Sequence, residues 1–344
     1  MSGRSEQGDG MKSYALFAIK RFVQLLVVIL CGCSIAFLIA HLSPISPVDQ
    51  VMQRVTGRSN ISPEAIVAMR RTLTELFGLD VPLYQQYLHF LMRLPFFDFG
   101  PSLLAFPTPA TALISLALPW TIGLLTFAVI VTWLLGNVIG ALAGYFPRSR
   151  VLAAIGMIFV GIQPIPYYIV AFMLVIIFGF LWPVLPISGG FAMTVRPGLT
   201  WQFILSIAHY AILPALSLVL VGVGGWFLAM RSLVSNVVTE DYVTYAELAG
   251  VQPRRIVQSY VFRNAVVPQL TALAMVLGSI FSGTVITEQV FTYPGLGSLL
   301  VNAVNGGDTG VVLAISCVSI VAVATGIFLV DLAQPLIDPR VRAE

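Results

Sequence analysis

Of 344 residues only 10% are charged while 58% are apolar, and the mean hydropathy is +0.93. A soluble fold needs far more charge on its surface, so this balance excludes an ordinary globular domain and points to a bilayer. The net charge of +3 includes only two lysines, Lys12 and Lys20, which excludes a dense basic stripe for a nucleic-acid backbone.

In chain order, residues 1–21 are expected to form a cytoplasmic N-terminal tail, whose polar first ten are either mobile or an upstream extension. The apolar run 22–42 follows Lys20 and Arg21. It is longer than a signal-peptide core and no A-x-A pattern follows, so it is expected to remain as the first spanning helix. Cys31 and Cys33 lie inside this run and Cys317 inside the last, as packing residues without a disulfide framework or metal-ligand pattern.

Residues 43–111 form a long segment on the outer side. Ser62, Pro63 and Glu64 combine an N-cap, a first-turn proline and a favourable first-turn acid. Ile66, Met69, Leu73 and Leu76 then recur at helical spacing as far as Gly78. This predicts an amphipathic helix, with a second short one over 84–93. The segment either covers the bundle or shapes its outer mouth and receives an external protein.

Further apolar runs predict spans over 120–143, 151–180, 204–231, 266–287 and 311–333, the last five belonging to a membrane core over 112–334. Pro164 and Pro166 interrupt the third span and predict a kink there. Gly222, Gly224 and Gly225 thin the fourth. With both termini inside, twelve Lys and Arg residues fall on the cytoplasmic side and six outside, in accord with the positive-inside rule. The C-terminal tail is 335–344.

The inner loop 235–265 predicts a short helix over 242–248, a turn at Gly250 and a new helix near Pro253. That is either a compact cytoplasmic knob or a plain interfacial loop. The spans hold almost no ionisable groups, which disfavours a proton relay or fixed ion site. No G-x-x-x-x-G-K-[S/T] motif is present.

Several motifs in order carry a family resemblance. These are Gly78-Leu79-Asp80-Val81-Pro82-Leu83, Leu185-Pro186-Ile187-Ser188-Gly189, His209-Tyr210-Ala211-Ile212-Leu213-Pro214-Ala215, the Tyr242–Gly250 stretch, Arg263-Asn264-Ala265-Val266-Val267-Pro268, Glu288-Gln289-Val290-Phe291-Thr292-Tyr293-Pro294-Gly295-Leu296-Gly297, and Asp338-Pro339-Arg340. From Lys12 to Arg342 the chain resembles the permease subunits of the dipeptide/oligopeptide/nickel class of bacterial ATP-binding-cassette importers. It departs from them at Ser43-Pro44-Ile45-Ser46-Pro47, where Pro-Gly-Asp-Pro is usual, and after Asp308, where Thr309-Gly310 replaces a proline-containing run.

The resemblance implies an all-α, six-span membrane protein with the type I importer permease fold. It implies a non-catalytic subunit of the inner membrane that binds no cofactor itself. The implied partners are a related second permease, two cytoplasmic ATPases carrying ATP and magnesium, and an external solute-binding protein. Tyr242, Ala246, Glu247, Gly250, Arg254 and Arg255 are then the expected coupling residues, with lipid-headgroup anchoring as the other reading of the two arginines. Gln163, Pro164 and Pro166 are candidates for the translocation path; a helix–helix hydrogen bond is the other reading of Gln163. Glu288, Phe291, Pro294, Gly295 and Gly297 are expected to order an outer turn. Peptides are the favoured solute, with oligosaccharides, opine-like compounds and nickel as alternatives on the same machinery. An ion-gradient-driven secondary transporter is the more distant one.

Overall fold

The computed structural model describes residues 3–42, 48, 52, 62–76, 80–278 and 285–337. The proline-rich departure after residue 42, Arg54, Arg58, the Gly78 terminator and the Asp338-Pro339-Arg340 motif lie outside the described residues. Among those described the fold is all-helical apart from one isolated bridge between Pro101 and Pro109. Helices suit a bilayer because each satisfies its own backbone hydrogen bonds where no water can do so.

The elements are α1 (Gly3–Leu42), α2 (Pro63–Leu76), α3 (Leu83–Arg93), α4 (Ala110–Tyr145), α5 (Arg150–Ile162), α6 (Tyr167–Val175), α7 (Trp201–Val237), α8 (Asp241–Leu248), α9 (Arg263–Gly278), α10 (Val285–Val290), α11 (Leu296–Gly306) and α12 (Thr309–Ile337). Five helical stretches are long and apolar enough to cross a membrane, Leu16–Leu42, Ala110–Tyr145, Trp201–Val237, Pro253–Gly278 and Thr309–Ala333. A sixth crossing results if α5 and α6 with its π-helical extension are counted as one span, although they meet at a 102° bend.

Four expectations change in detail. The first helix begins at Gly3, so it is longer than the apolar run 22–42 alone. The second span begins at Ala110 and runs through Pro119, because the apolar residues ahead of the proline stay helical and only one ladder bond is lost. The third span is broken and not merely kinked, since two prolines within three residues remove two donors from the same turn. The fifth starts at Pro253, the turn Pro253–Arg255 and a π-helical stretch Ile256–Phe262 leading straight into α9. Helices α2 and α3 form close to the expected residues, and the Ser62 carbonyl accepts the Ile66 N–H at 3.1 Å.

The chain divides into two compact units, the boundaries falling within α4 and α12 and ahead of α11. The first comprises Met1–Pro119 with Gly295–Thr325. Its core joins Ala110, Ile114 and Ala117 to Leu296, Ala303, Val311, Ala314 and Ile315. Cys33 and Cys317 are both free and fully buried. Beside them α1 and α12 approach so closely that a Cβ on Gly32 would lie 2.9 Å from Ile320. On α1, Ser34 hydrogen-bonds the Tyr87 hydroxyl at 2.6 Å, and Phe37 packs on Tyr87 and Phe90.

The second unit comprises Trp120–Pro294 with Gly326–Glu344. Its central joint is a stripe of small residues, Gly136, Gly140 and Gly144, on one face of α4. A Cβ at these positions would lie 2.4 Å from Trp226 Cβ, 2.6 Å from the Phe227 carbonyl oxygen and 2.8 Å from Val234. The four-residue spacing therefore lets α4 and α7 meet backbone to backbone, which is how spanning helices gain packing energy without a hydrophobic drive. Gly222 serves the same joint from the α7 side, where a Cβ would meet Thr132 Cγ2 at 2.7 Å.

Candidate functional site

The loop 235–265 is built around α8 and the turn that follows, which together form a knob. Val243 and Ala246 point down into a cluster with Ala141, Met230, Val234, Ile256, Val261 and Ala265. The same spacing leaves Tyr245 and Leu248 exposed at 72% and 80% on the opposite face. Helix α8 ends in a Schellman motif: the Val251 N–H donates to the Ala246 carbonyl at 3.1 Å and the Gly250 N–H to that of Glu247 at 3.0 Å. Gly250 takes the left-handed φ of +72° that this motif requires.

The six residues expected in coupling therefore separate. Tyr242, Glu247, Gly250, Arg254 and Arg255 are exposed, whereas Ala246 is buried and anchors the knob from beneath. Asn264 donates to the Tyr242 hydroxyl at 3.2 Å and to the Tyr260 carbonyl at 2.7 Å, tying α8 to the π-helical stretch. Among the described residues neither Arg254 nor Arg255 has an ion-pair partner. Tyr245 and Leu248 were not singled out from the sequence; their two-residue offset from the buried Val243–Ala246 register was the available signal.

At the break between α5 and α6, Gln163, Pro164 and Pro166 are all exposed. Gln163 lies against the glycines of α7: a Cβ on Gly224 would come within 2.7 Å of the Phe159 carbonyl oxygen and 3.0 Å of Gln163 Cβ. Deeper polar groups escaped sequence reasoning. Trp133 Nε1 donates to the Gln269 carbonyl at 3.1 Å, and Asn137 Nδ2 to the Trp133 carbonyl at 2.8 Å. The side-chain oxygens of Asn137 and Gln269 are buried without a hydrogen-bond partner. Scattered neutral amides produce no motif, so only the fold shows that these two share one joint.

The outer-turn residues separate as well. Glu288 is fully buried and accepts a 2.7 Å hydrogen bond from Thr121. Phe291 and Tyr293 are buried, the Phe291 carbonyl accepts the Gly189 N–H at 2.9 Å, and Tyr293 packs edge-on against Trp120. Burial pushes the Tyr293 phenol up to about 12, the Glu288 carboxylate adding to the shift. A Cβ on Gly190 would lie 2.7 Å from Pro294. Thr292 between them has φ +48°, an unusual conformation for a β-branched residue. Gly295 and Gly297 instead open α11 in the first unit, where the Gly295 carbonyl accepts the Leu299 N–H at 3.1 Å. Among the described residues no group of His, Cys, Asp and Glu is arranged to hold a metal ion.

Five long apolar helices, one further broken crossing and a short capped helix between two of the spans define a class, the all-α multi-pass membrane protein. The family model for the binding-protein-dependent transport system inner membrane component matches residues 136–343. The oligopeptide transport system permease protein AppB of Bacillus subtilis is 28% identical, covering 95% of this chain and 99% of its own. A putative peptide transport system permease protein of Brucella abortus is 31% identical over 94% of this chain and 98% of its own. The oligopeptide transport system permease protein OppB of Haemophilus influenzae is 29% identical over 95% and 99%.

The chain belongs to the family of binding-protein-dependent transport system inner membrane components. It is a multi-pass permease subunit of an ATP-driven importer in the inner membrane, and a non-catalytic one.

Proposed function

We propose that this permease passes peptides, as one of two related permeases served by two cytoplasmic ATPases and an external solute-binding protein. The observation that carries the solute is that the relatives matching nearly the whole chain bear peptide or oligopeptide permease names. In this reading there are six spans, both termini are cytoplasmic, and α2 and α3 lie outside; the distribution of Lys and Arg supports that orientation. The tail 1–21, the outer segment 43–111, the core 112–334 with its coupling loop 235–265, and the tail 335–344 take their places accordingly.

Closure of the ATPases, with ATP and magnesium bound to them, pushes the exposed face of the knob. Tyr242, Glu247, Arg254 and Arg255 meet the ATPase there, and Ala246 and Gly250 keep the knob's shape. Because the turn at Pro253–Arg255 continues into α9 without a loop, displacement of the knob is passed directly to a spanning helix. Gln163, Pro164 and Pro166 line part of the route, where an exposed amide beside a broken ladder offers hydrogen bonds in an otherwise apolar surface. Glu288, Phe291 and Pro294 hold the outer turn closed against the 189–190 strand of loop, and Gly295 and Gly297 start the helix beyond it.

The test is uptake into vesicles holding both permeases, both ATPases and the cognate binding protein. ATP-dependent accumulation of a labelled peptide, insensitive to a protonophore, is expected. Stimulation of ATP hydrolysis by an oligosaccharide, an opine-like compound or nickel, and not by peptides, would overturn the solute assignment. Uptake abolished by the protonophore with ATP present would overturn the coupling scheme.

A further inference from the structure

We infer that the loop between α6 and α7 is a membrane anchor, its tip at Met193 and Leu199 seated in the headgroup layer of the outer leaflet. The loop carries an apolar tip on a fixed frame. The Ala192 N–H donates to Ser206 Oγ at 2.8 Å, and the Gly189 N–H donates to the Phe291 carbonyl at 2.9 Å. Phe191 stacks on Trp120 with 6.0 Å between centroids and meets Phe203 edge-on at 5.1 Å. Beyond those ties the Met193 and Leu199 side chains are 101% and 103% exposed, touching almost nothing in the chain.

The surroundings select the bilayer as their occupant. Trp182 stands at the end of the π-helical extension of α6 and Trp201 at the first residue of α7, both exposed. Tryptophans at the two ends of a loop between spans mark headgroup depth, where an amphipathic indole is most stable. Phe180 and Leu181 before the loop and Ile204 and Leu205 after it are exposed too. They lie on helices apolar enough to cross a bilayer, so the tip adds to a surface suited to lipid. Arg196 is the only charged residue between Trp182 and Trp201 and is exposed, and a long basic side chain there can reach lipid phosphate. A docking face for the external protein would carry more polar groups around its apolar centre.

The choice of leaflet rests on the proposed orientation of the spans; the contact with lipid does not. Met193→Cys and Leu199→Cys are made in a Cys31→Ser chain, because Cys31 is the exposed native cysteine while Cys33 and Cys317 are buried. The variants are assembled with the partner subunits, labelled with an NBD dye and placed in phosphatidylethanolamine/phosphatidylglycerol vesicles. A blue-shifted emission, quenched more by headgroup-level nitroxide lipid than by aqueous iodide, is expected. In intact spheroplasts, dithionite added outside should bleach the dye. An unshifted emission quenched mainly by iodide would overturn the anchor, and so would shielding that arises only when the binding protein is added. Lipid quenching combined with protection from dithionite would overturn the orientation, and with it the outer-leaflet assignment.

Discussion

The Thr121 hydroxyl donates to Glu288 Oε1 at 2.7 Å, joining α4 to α10 through a carboxyl group sealed from solvent. A buried carboxylate is tolerated only when donors satisfy it, and removing one leaves the desolvation cost uncompensated. Thr121→Val should therefore destabilise the protein by about 1–3 kcal/mol. Thr121→Ser should restore most of the loss, and thermal unfolding in detergent would measure both. A Val variant as stable as the parent would show that this bond contributes nothing.

The glycine stripe on α4 gives a second test, because it separates close approach from helix propensity. Gly140→Ala places a methyl 2.6 Å from a backbone oxygen of α7, which cannot move without shifting the helix. A loss of about 1–3 kcal/mol is expected from such overpacking. Gly123→Ala meets nothing within 4 Å and should be neutral or slightly stabilising, since alanine is the better helix former. Comparison of the two melting temperatures decides it.

Gly250 has open space around its Cα, so replacing it acts on the backbone alone. A β-branched side chain at φ +72° costs roughly 1–2 kcal/mol. Gly250→Val should loosen the turn and lower solute-stimulated ATP hydrolysis in the assembled complex while the amount inserted in the membrane stays the same. Gly250→Asn, which tolerates the left-handed region, should retain most of the stimulation. Normal stimulation in the valine variant would sink the coupling role of this turn.

Asp308 caps α12 and closes the loop before α4 in the first unit. Its carboxylate accepts the Ser102 hydroxyl at 2.6 Å, the Leu104 N–H at 3.0 Å and the Val311 N–H at 3.1 Å. Asp308→Ala should cost about 1–3 kcal/mol, as expected when buried donors lose their acceptor. Ser102→Ala should cost less, and the double variant should lose less than the sum of the two, because the two losses share one bond while Ser102 Oγ also accepts the Leu104 and Ala105 N–H groups. Full additivity in thermal unfolding would contradict the shared bond.

Gln163→Leu removes the exposed amide at the helix break without filling any cavity. Folding should be unaffected, whereas peptide uptake by the assembled transporter should fall. Equal uptake at equal expression would remove this residue from the route.

Much of this architecture was legible in the chain because its signals are local. Runs of apolar residues long enough to span a bilayer, the Ser62-Pro63-Glu64 start of α2 and the Gly250 terminator each act within a few residues of themselves. An interruption at Pro164 and Pro166 was visible for the same reason, although a 102° break in place of a kink was not, since neighbouring helices set how far an interrupted ladder opens. Ala246 illustrates the limit: its place in the short helix before Gly250 was readable, but its inward direction depends on the register of α8 over α7 and α9.

By itself, then, the sequence determined a helical membrane protein, its approximate spans and its charge bias, because hydropathy and turn chemistry are properties of short segments. The tertiary structure alone decided that Gly136, Gly140 and Gly144 form one joint, that Asn137 and Gln269 meet through Trp133, and that Glu288 is sealed beside Thr121. Those partners lie many residues apart, and no periodicity within one helix records which face of another it will meet.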